Sequence, residues 1–155
     1  MRFRLVPLVN WLNLSTPAGL ALARAGGCSI TRGPHSILLA EGYPFRLPKA
    51  RAFTVGSVVL LRGRVPADPS ESFLRLLDHE ARHTRQYATL LGLPFLGAYA
   101  LASGWSVLLT GTPASRNVFE RLAGLDDGGY VERPLRPRLA ALPHRIRSVR
   151  RTRRL

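Results

Sequence analysis

The sequence predicts a small α+β domain, mainly helical, built around one long helix at about residues 69–91 with a short β-sheet or hairpin before it. Three observations carry that reading. Apolar residues recur at helical spacing over Phe73, Leu74, Leu77, Ala81 and Ala88. Two upstream runs, 36–40 and the β-branched 52–61, read as strands separated by a loop with Gly42, Pro44 and Pro48. Downstream, the breakers Gly92-Leu93-Pro94 and Gly111-Thr112-Pro113 divide the chain into a helix at about 94–110 and another at about 116–124.

Length and composition agree with that frame. The chain has 155 residues, 46% of them apolar, enough for one core and too few for two ordinary domains. We read residues 1–132 as the domain and 133–155 as a basic, flexible tail. The single cysteine, Cys28, excludes an internal disulfide and any multi-cysteine zinc module, so a metal here must use His and carboxylate ligands.

At the N-terminus, Arg2 and Arg4 precede an apolar run, which loosely mimics a signal peptide. The break at Asn10, Asn13, Ser15, Thr16 and Pro17 argues against a continuous export segment and for the N-cap and first turn of a second helix. The long helix has its own start signal in Asp68-Pro69-Ser70-Glu71, with Asp68 as N-cap, Pro69 at the first position and Glu71 at the third.

Inside that helix stands His79-Glu80-Ala81-Arg82-His83. Positions i and i+4 share a helical face, so two imidazoles can reach one ion while the intervening Glu sits beside it as a base. A zinc hydrolase site of this type takes a third protein ligand and leaves its fourth position to water. The best candidate is Glu120, within Asn117-Val118-Phe119-Glu120-Arg121-Leu122-Ala123; the alternative is an exposed carboxylate paired with an Arg.

Together, His79-Glu80-x-x-His83-x-x-Gln86 and the later Asn-x-x-Glu-x-x-Ala resemble small bacterial zincin-like metallopeptidases of the gluzincin kind, over roughly residues 70–125. The resemblance implies Zn2+ on His79, His83 and Glu120, with Glu80 taking a proton from a zinc-bound water as it attacks a peptide carbonyl. Gln86, one turn beyond His83, would orient a ligand or contact substrate, or is a plain helix residue. Asn117, Asp126 and Asp127 are candidates for a second shell or for substrate contact. Gluzincins often carry an Asp four residues after the ligand Glu; here that position is Gly124. Tyr130 and His144 are nominal oxyanion donors. His35 and Asp78 read as surface groups.

From Tyr87 to Ser115 there is no charged residue, long enough for a membrane span. A straight span would carry Glu120 about 30 Å or more from His83, so the three-ligand site and the span exclude each other. If the chain instead reverses at Gly92-Leu93-Pro94, the returning helix draws level with His79 after about 13 residues, near Val107. Such a helix is either buried core or a segment lying against a membrane.

Net charge is +14, and the segment after Glu132 carries nine arginines and no acidic residue. Such a tail favours anionic partners, nucleic acid or acidic lipid, without defining the domain. Two functions compete. One is a zinc metallopeptidase acting on a peptide or protein substrate, cytoplasmic or peripherally membrane-associated. The other is a basic nucleic-acid- or anionic-membrane-binding protein with a structural or vestigial metal site.

Overall fold

The structure is a computed structural model that describes residues 5–137; it is mixed α+β, with five α-helices and a four-stranded mixed sheet among the described residues. Helices α1 (Val6–Leu12) and α2 (Ser15–Ala25) come first, then β1 (Ser29–Arg32), β2 (Leu38–Glu41), β3 (Ala52–Val55) and β4 (Val58–Leu61). Three helices follow, α3 (Glu71–Thr89), α4 (Pro94–Thr110) and α5 (Val118–Ala123). Most of the arginine tail, and His144 with it, falls outside the described residues.

The sheet order is β1-β2-β4-β3, with β2 and β4 parallel and the two outer pairings antiparallel. All four residues of β4 are buried, and they alternate between the sheet's two faces. Val58 and Leu60 join Ala23 of α2 in one core cluster, while Val59 and Leu61 join Leu77 and Ala81 of α3 in the other. Continuous burial explains why residues 52–61 read as one strand: no in-out alternation marks an interruption. The run is a hairpin. Gly56 at φ +65 and Ser57 form its two-residue turn, a conformation that favours Gly at the first central position. β3 is thereby left as an edge strand.

Three further expectations are corrected. The first strand lies at 38–41 and not 36–40, because residues 34–36 form a 3-10 turn, and β1, short and exposed throughout, pairs alongside it. The N-cap of α3 is Ser70 and not Asp68: its extended backbone and its hydroxyl, which accepts from the Phe73 N–H at 3.3 Å, fix the start two residues later. Glu71 then falls at the first helical position and pairs with Arg75 one turn on.

The third concerns α4. It leaves α3 at a bend of 119°, so it crosses obliquely and does not fold back flat. Contact with the site comes through Tyr99, early in the helix, and Val107 faces outward. Only Phe95 and Ser106 of α4 are fully buried, so it is not a core helix. No single helix among the described residues is long and apolar enough to cross a membrane.

Polar side chains bind the helical layers together. Asn10 of α1 is completely buried and donates to the Ser57 hydroxyl at 3.1 Å and the Thr84 carbonyl at 2.9 Å, tying α1 to the hairpin and to α3. Its two donors are thus both satisfied, which removes the main cost of burying an amide.

Candidate metal centre

His79 and His83, one turn apart on the inner face of α3, meet Glu120 from α5 in a fully buried cluster. Nε2 of His79 lies 3.1 Å from Nε2 of His83 and 3.1 Å from Glu120 Oε2; Nε2 of His83 lies 3.7 Å from the same oxygen. A tetrahedral ion with bonds of about 2.0–2.1 Å has ligand-to-ligand edges of about 3.3–3.4 Å. The three observed edges bracket that length.

Hydrogen-bond partners assign the tautomers. His79 Nδ1 stands 2.9 Å from the Gly124 carbonyl, which can only accept, so Nδ1 carries the proton. His83 Nδ1 stands 2.8 Å from Gln86 Oε1, and the Gln86 amide is oriented by its own Nε2 donating to the Phe119 carbonyl at 2.9 Å. In the neutral rings both Nε2 atoms therefore present lone pairs to one another and to a carboxylate oxygen. Glu120 Oε2 is buried and accepts no hydrogen bond. Three converging acceptors with no proton among them demand a cation, either a metal ion or a proton taken up by an imidazole. This donor set, His2Glu with one position left over, suits zinc.

Gln86 thus sits behind His83, where the sequence allowed it. Asp127 does not sit behind His79: its carboxylate accepts from Arg82 Nη1 at 2.7 Å, fastening α3 to the loop after α5. The Gly124 carbonyl takes that place, at the very position where the resembled family carries Asp. With φ +87, a Cβ there would lie 2.5 Å from Arg82 Nη1, so both the backbone conformation and the Arg82–Asp127 pair require glycine. Asp126 lies away from the three converging side chains and borders a neighbouring depression on the other side of Glu80 and Tyr130. Asn117 is structural, capping α5 by accepting from the Phe119 N–H at 2.9 Å and donating to Ser103 of α4. His35 and Asp78 pair with each other at the surface, 3.0 Å apart.

Two side chains that the sequence does not single out complete the arrangement. Tyr99 of α4 donates its hydroxyl hydrogen to Glu120 Oε1, leaving Oε2 to face the imidazoles. Thr54 of β3 donates to Glu80 Oε2 at 2.6 Å. Tyr99 was traceable as one of the few polar residues in an apolar helix, in step with Ser103 and Ser106 at helical spacing; nothing in the local sequence marks Thr54.

Electrostatics separate the two glutamates. Burial raises the Glu80 pKa above the ordinary carboxylate value, despite the opposing pull of His83 and Thr54. Burial pushes Glu120 up as well, but its contacts with His79, His83 and Tyr99 outweigh this and hold it down at about 2. For His83, burial lowers the pKa, yet contact with Glu120 and the charge of Glu80 leave it raised. The two buried carboxyls are thus shifted in opposite directions, Glu120 down and Glu80 up.

None of the protein-family models, curated proteins or solved structures compared with the chain gives a match. The site's own geometry therefore carries the functional argument.

A cavity of about 540 Å³ adjoins the cluster and is lined by His79, Glu80, His83 and Glu120 together with β3 and the start of α4. Its remaining walls are largely apolar, among them Phe53, Val55, Phe95 and Leu96. Tyr130 closes one side, its ring centroid 6.1 Å from that of His79. Tyr87 also lines the cavity, and its hydroxyl is buried without a hydrogen-bond partner among the described residues.

Proposed function

We propose that the protein is a zinc-dependent hydrolase acting on peptide or protein amides. One observation carries the reading: the Nε2 atoms of His79 and His83 and the Glu120 Oε2 atom converge, buried, at spacings close to the edges of a tetrahedral site. When bound, zinc supplies a Lewis acid that acidifies water towards neutrality and polarises a carbonyl oxygen.

The chain's own groups do the rest. Glu80, raised by burial and oriented by Thr54, accepts a proton at its carboxylate and passes it to the leaving amine. Tyr99 and Gln86 hold Glu120 and His83 in their binding orientations. The largely apolar cavity walls keep bulk water from Glu80, which preserves its raised pKa. A peptide is favoured as substrate because β3 is an edge strand that lines this cavity, and an extended backbone can add to such an edge. The hydrolase belongs, on this reading, with the zincin-like peptidases its motifs resemble.

Metal analysis and a casein-derived peptide mixture test the proposal together. We expect one zinc per chain, lost in His79→Ala/His83→Ala and kept in Glu80→Gln, with peptide cleavage reduced about 10²–10⁴-fold in Glu80→Gln. Purification without stoichiometric metal after zinc reconstitution overturns the metal assignment. Undiminished cleavage by Glu80→Gln overturns the role of Glu80.

A further inference from the structure

Helix α4 is inside out. Its inward stripe carries the polar residues: Tyr99 reaches Glu120, Ser103 accepts from Asn117, and Ser106 both donates to the Thr112 carbonyl and accepts from the Arg116 N–H. Its exposed stripe is wholly apolar, with Leu96, Leu101, Trp105 and Leu108 at 45%, 79%, 60% and 62% exposure. A helix in water has the opposite arrangement. α1 repeats the pattern in part: Asn10 is buried beside Val6, while Leu8, Trp11 and Leu12 face out.

The end of α1 meets the turn that starts α4. Asn13, which ends α1, packs against Gly92 in the α3–α4 turn, so closely that a Cβ on Gly92 would lie 2.6 Å from Asn13 Cγ. Exposed Leu12 and Leu14 on one side and Leu91 and Leu93 on the other continue the apolar surface across this junction. Neither α1 nor α4 contains a charged residue. An apolar surface of this extent marks a place where something other than water is met.

Charge at its borders says what that is. The chain after Glu132 is pinned to the C-terminal end of α4: the Arg136 N–H donates to the Leu109 carbonyl at 2.8 Å, and its guanidinium reaches Gly111. Exposed Arg133 and Arg136 open the arginine-rich segment at that point, and the sequence places Arg2 and Arg4 immediately before α1. In the sequence, cations thus stand on both sides of the segments that build this face. α4, with 17 residues and one polar face, suits lying in the plane of an interface and not crossing it.

We infer that the outer faces of α1 and α4 seat the protein on an anionic lipid bilayer, with the flanking arginines on the headgroups and both tryptophans at the boundary. Leu96 belongs both to this face and to the wall of the metal-site cavity, so the seat brings that cavity beside the lipid surface. Access of membrane-presented peptides to the cavity rests on the hydrolase reading; the membrane seat does not, and metal chelation leaves it intact.

Trp11 and Trp105 are the chain's only tryptophans and both lie on this face, so intrinsic fluorescence reports directly on it. The full-length protein is titrated with phosphatidylcholine vesicles with and without phosphatidylglycerol, and co-sedimentation is followed alongside Trp emission. We expect a blue shift and sedimentation with the anionic vesicles, weakened by salt. Leu101→Glu/Leu108→Glu should reduce partitioning at least about tenfold while the circular dichroism spectrum stays that of the wild type. Anionic-vesicle binding undiminished in that variant overturns the inference, since the arginines alone would then account for it. A blue shift that follows protein concentration without lipid also overturns it, in favour of a second copy of the chain as the occupant.

Discussion

α3 and α4 are consecutive helices of similar length, 19 and 17 residues, and they sort their side chains in opposite ways. α3 sends Leu77, Ala81 and Ala88 into the core with its two imidazoles and leaves Arg75 and Asp78 in solvent. α4 sends its hydroxyls inward and its leucines out. A helix beside a polar site is thus patterned by two neighbours at once. The inner face of α4 is dictated by Glu120 and Asn117, which need donors and acceptors, and the outer face by whatever medium it meets.

The largest contrast between the two helices should appear in stability. Leu77→Ala in α3 removes a buried side chain from the cluster beneath β4 and is expected to cost about 2–5 kcal/mol in denaturant unfolding. If Leu77→Ala proves neutral, the burial contrast between the helices is wrong.

Metal affinity comes next. Tyr99→Phe in α4 and Gln86→Ala in α3 each remove one hydrogen bond behind a ligand and should weaken zinc about 10–100-fold by competition titration, so that both helices contribute to one centre. An unchanged affinity in Tyr99→Phe would confine the centre to α3 and α5.

The pH dependence of melting sharpens the same point. His83 has a raised pKa, so without metal its contribution is fully present below the ordinary 6.5 and is lost as pH rises through the raised value. Glu80, raised by burial, has the same sign from its ordinary 4.5 upward. Glu120 has the opposite sign, but its value of about 2 confines the loss to pH below 4.5. The metal-free protein should therefore melt at lower temperature as pH rises past 6.5. With zinc the slope should reverse, because the ligands bind deprotonated. Parallel curves would show that protons and zinc do not compete for one place.

The smallest expected effect is in the outer face of α4. Leu101→Ala should change unfolding free energy by no more than about 0.5 kcal/mol, and zinc content not at all.

Much of the α3 half was legible in the sequence because its information is local. Apolar spacing gave the helix, and i, i+4 spacing put two imidazoles on one face. The rest depends on the path of the chain. Residues 52–61 concealed a hairpin because burial on both faces erased the alternation that would have shown it; Gly56-Ser57 was the only trace. Ser70 competed with Asp68 for the cap, and only the backbone conformation decides such a contest. Asp127 was a candidate for the second shell by residue type, but Arg82, one helical turn beyond His79, claims it. Thr54 is 26 residues from Glu80, and no local pattern announces a partner at that separation. In α4 the polar stripe was visible, yet which stripe faces inward follows from Glu120, a residue on another helix.

Gly124 gives the site one more property, in its sum of charges. A carboxylate behind His79 would have brought a second negative charge to the centre; a backbone carbonyl brings a dipole and none. With Glu120 as the single charged ligand, a divalent ion held there would keep a net charge of about +1 in a cavity whose walls screen it weakly. Were such an ion held by His79, His83 and Glu120, its remaining charge would draw simple carboxylates, thiolates or phosphates into the cavity, where they would compete with a neutral substrate.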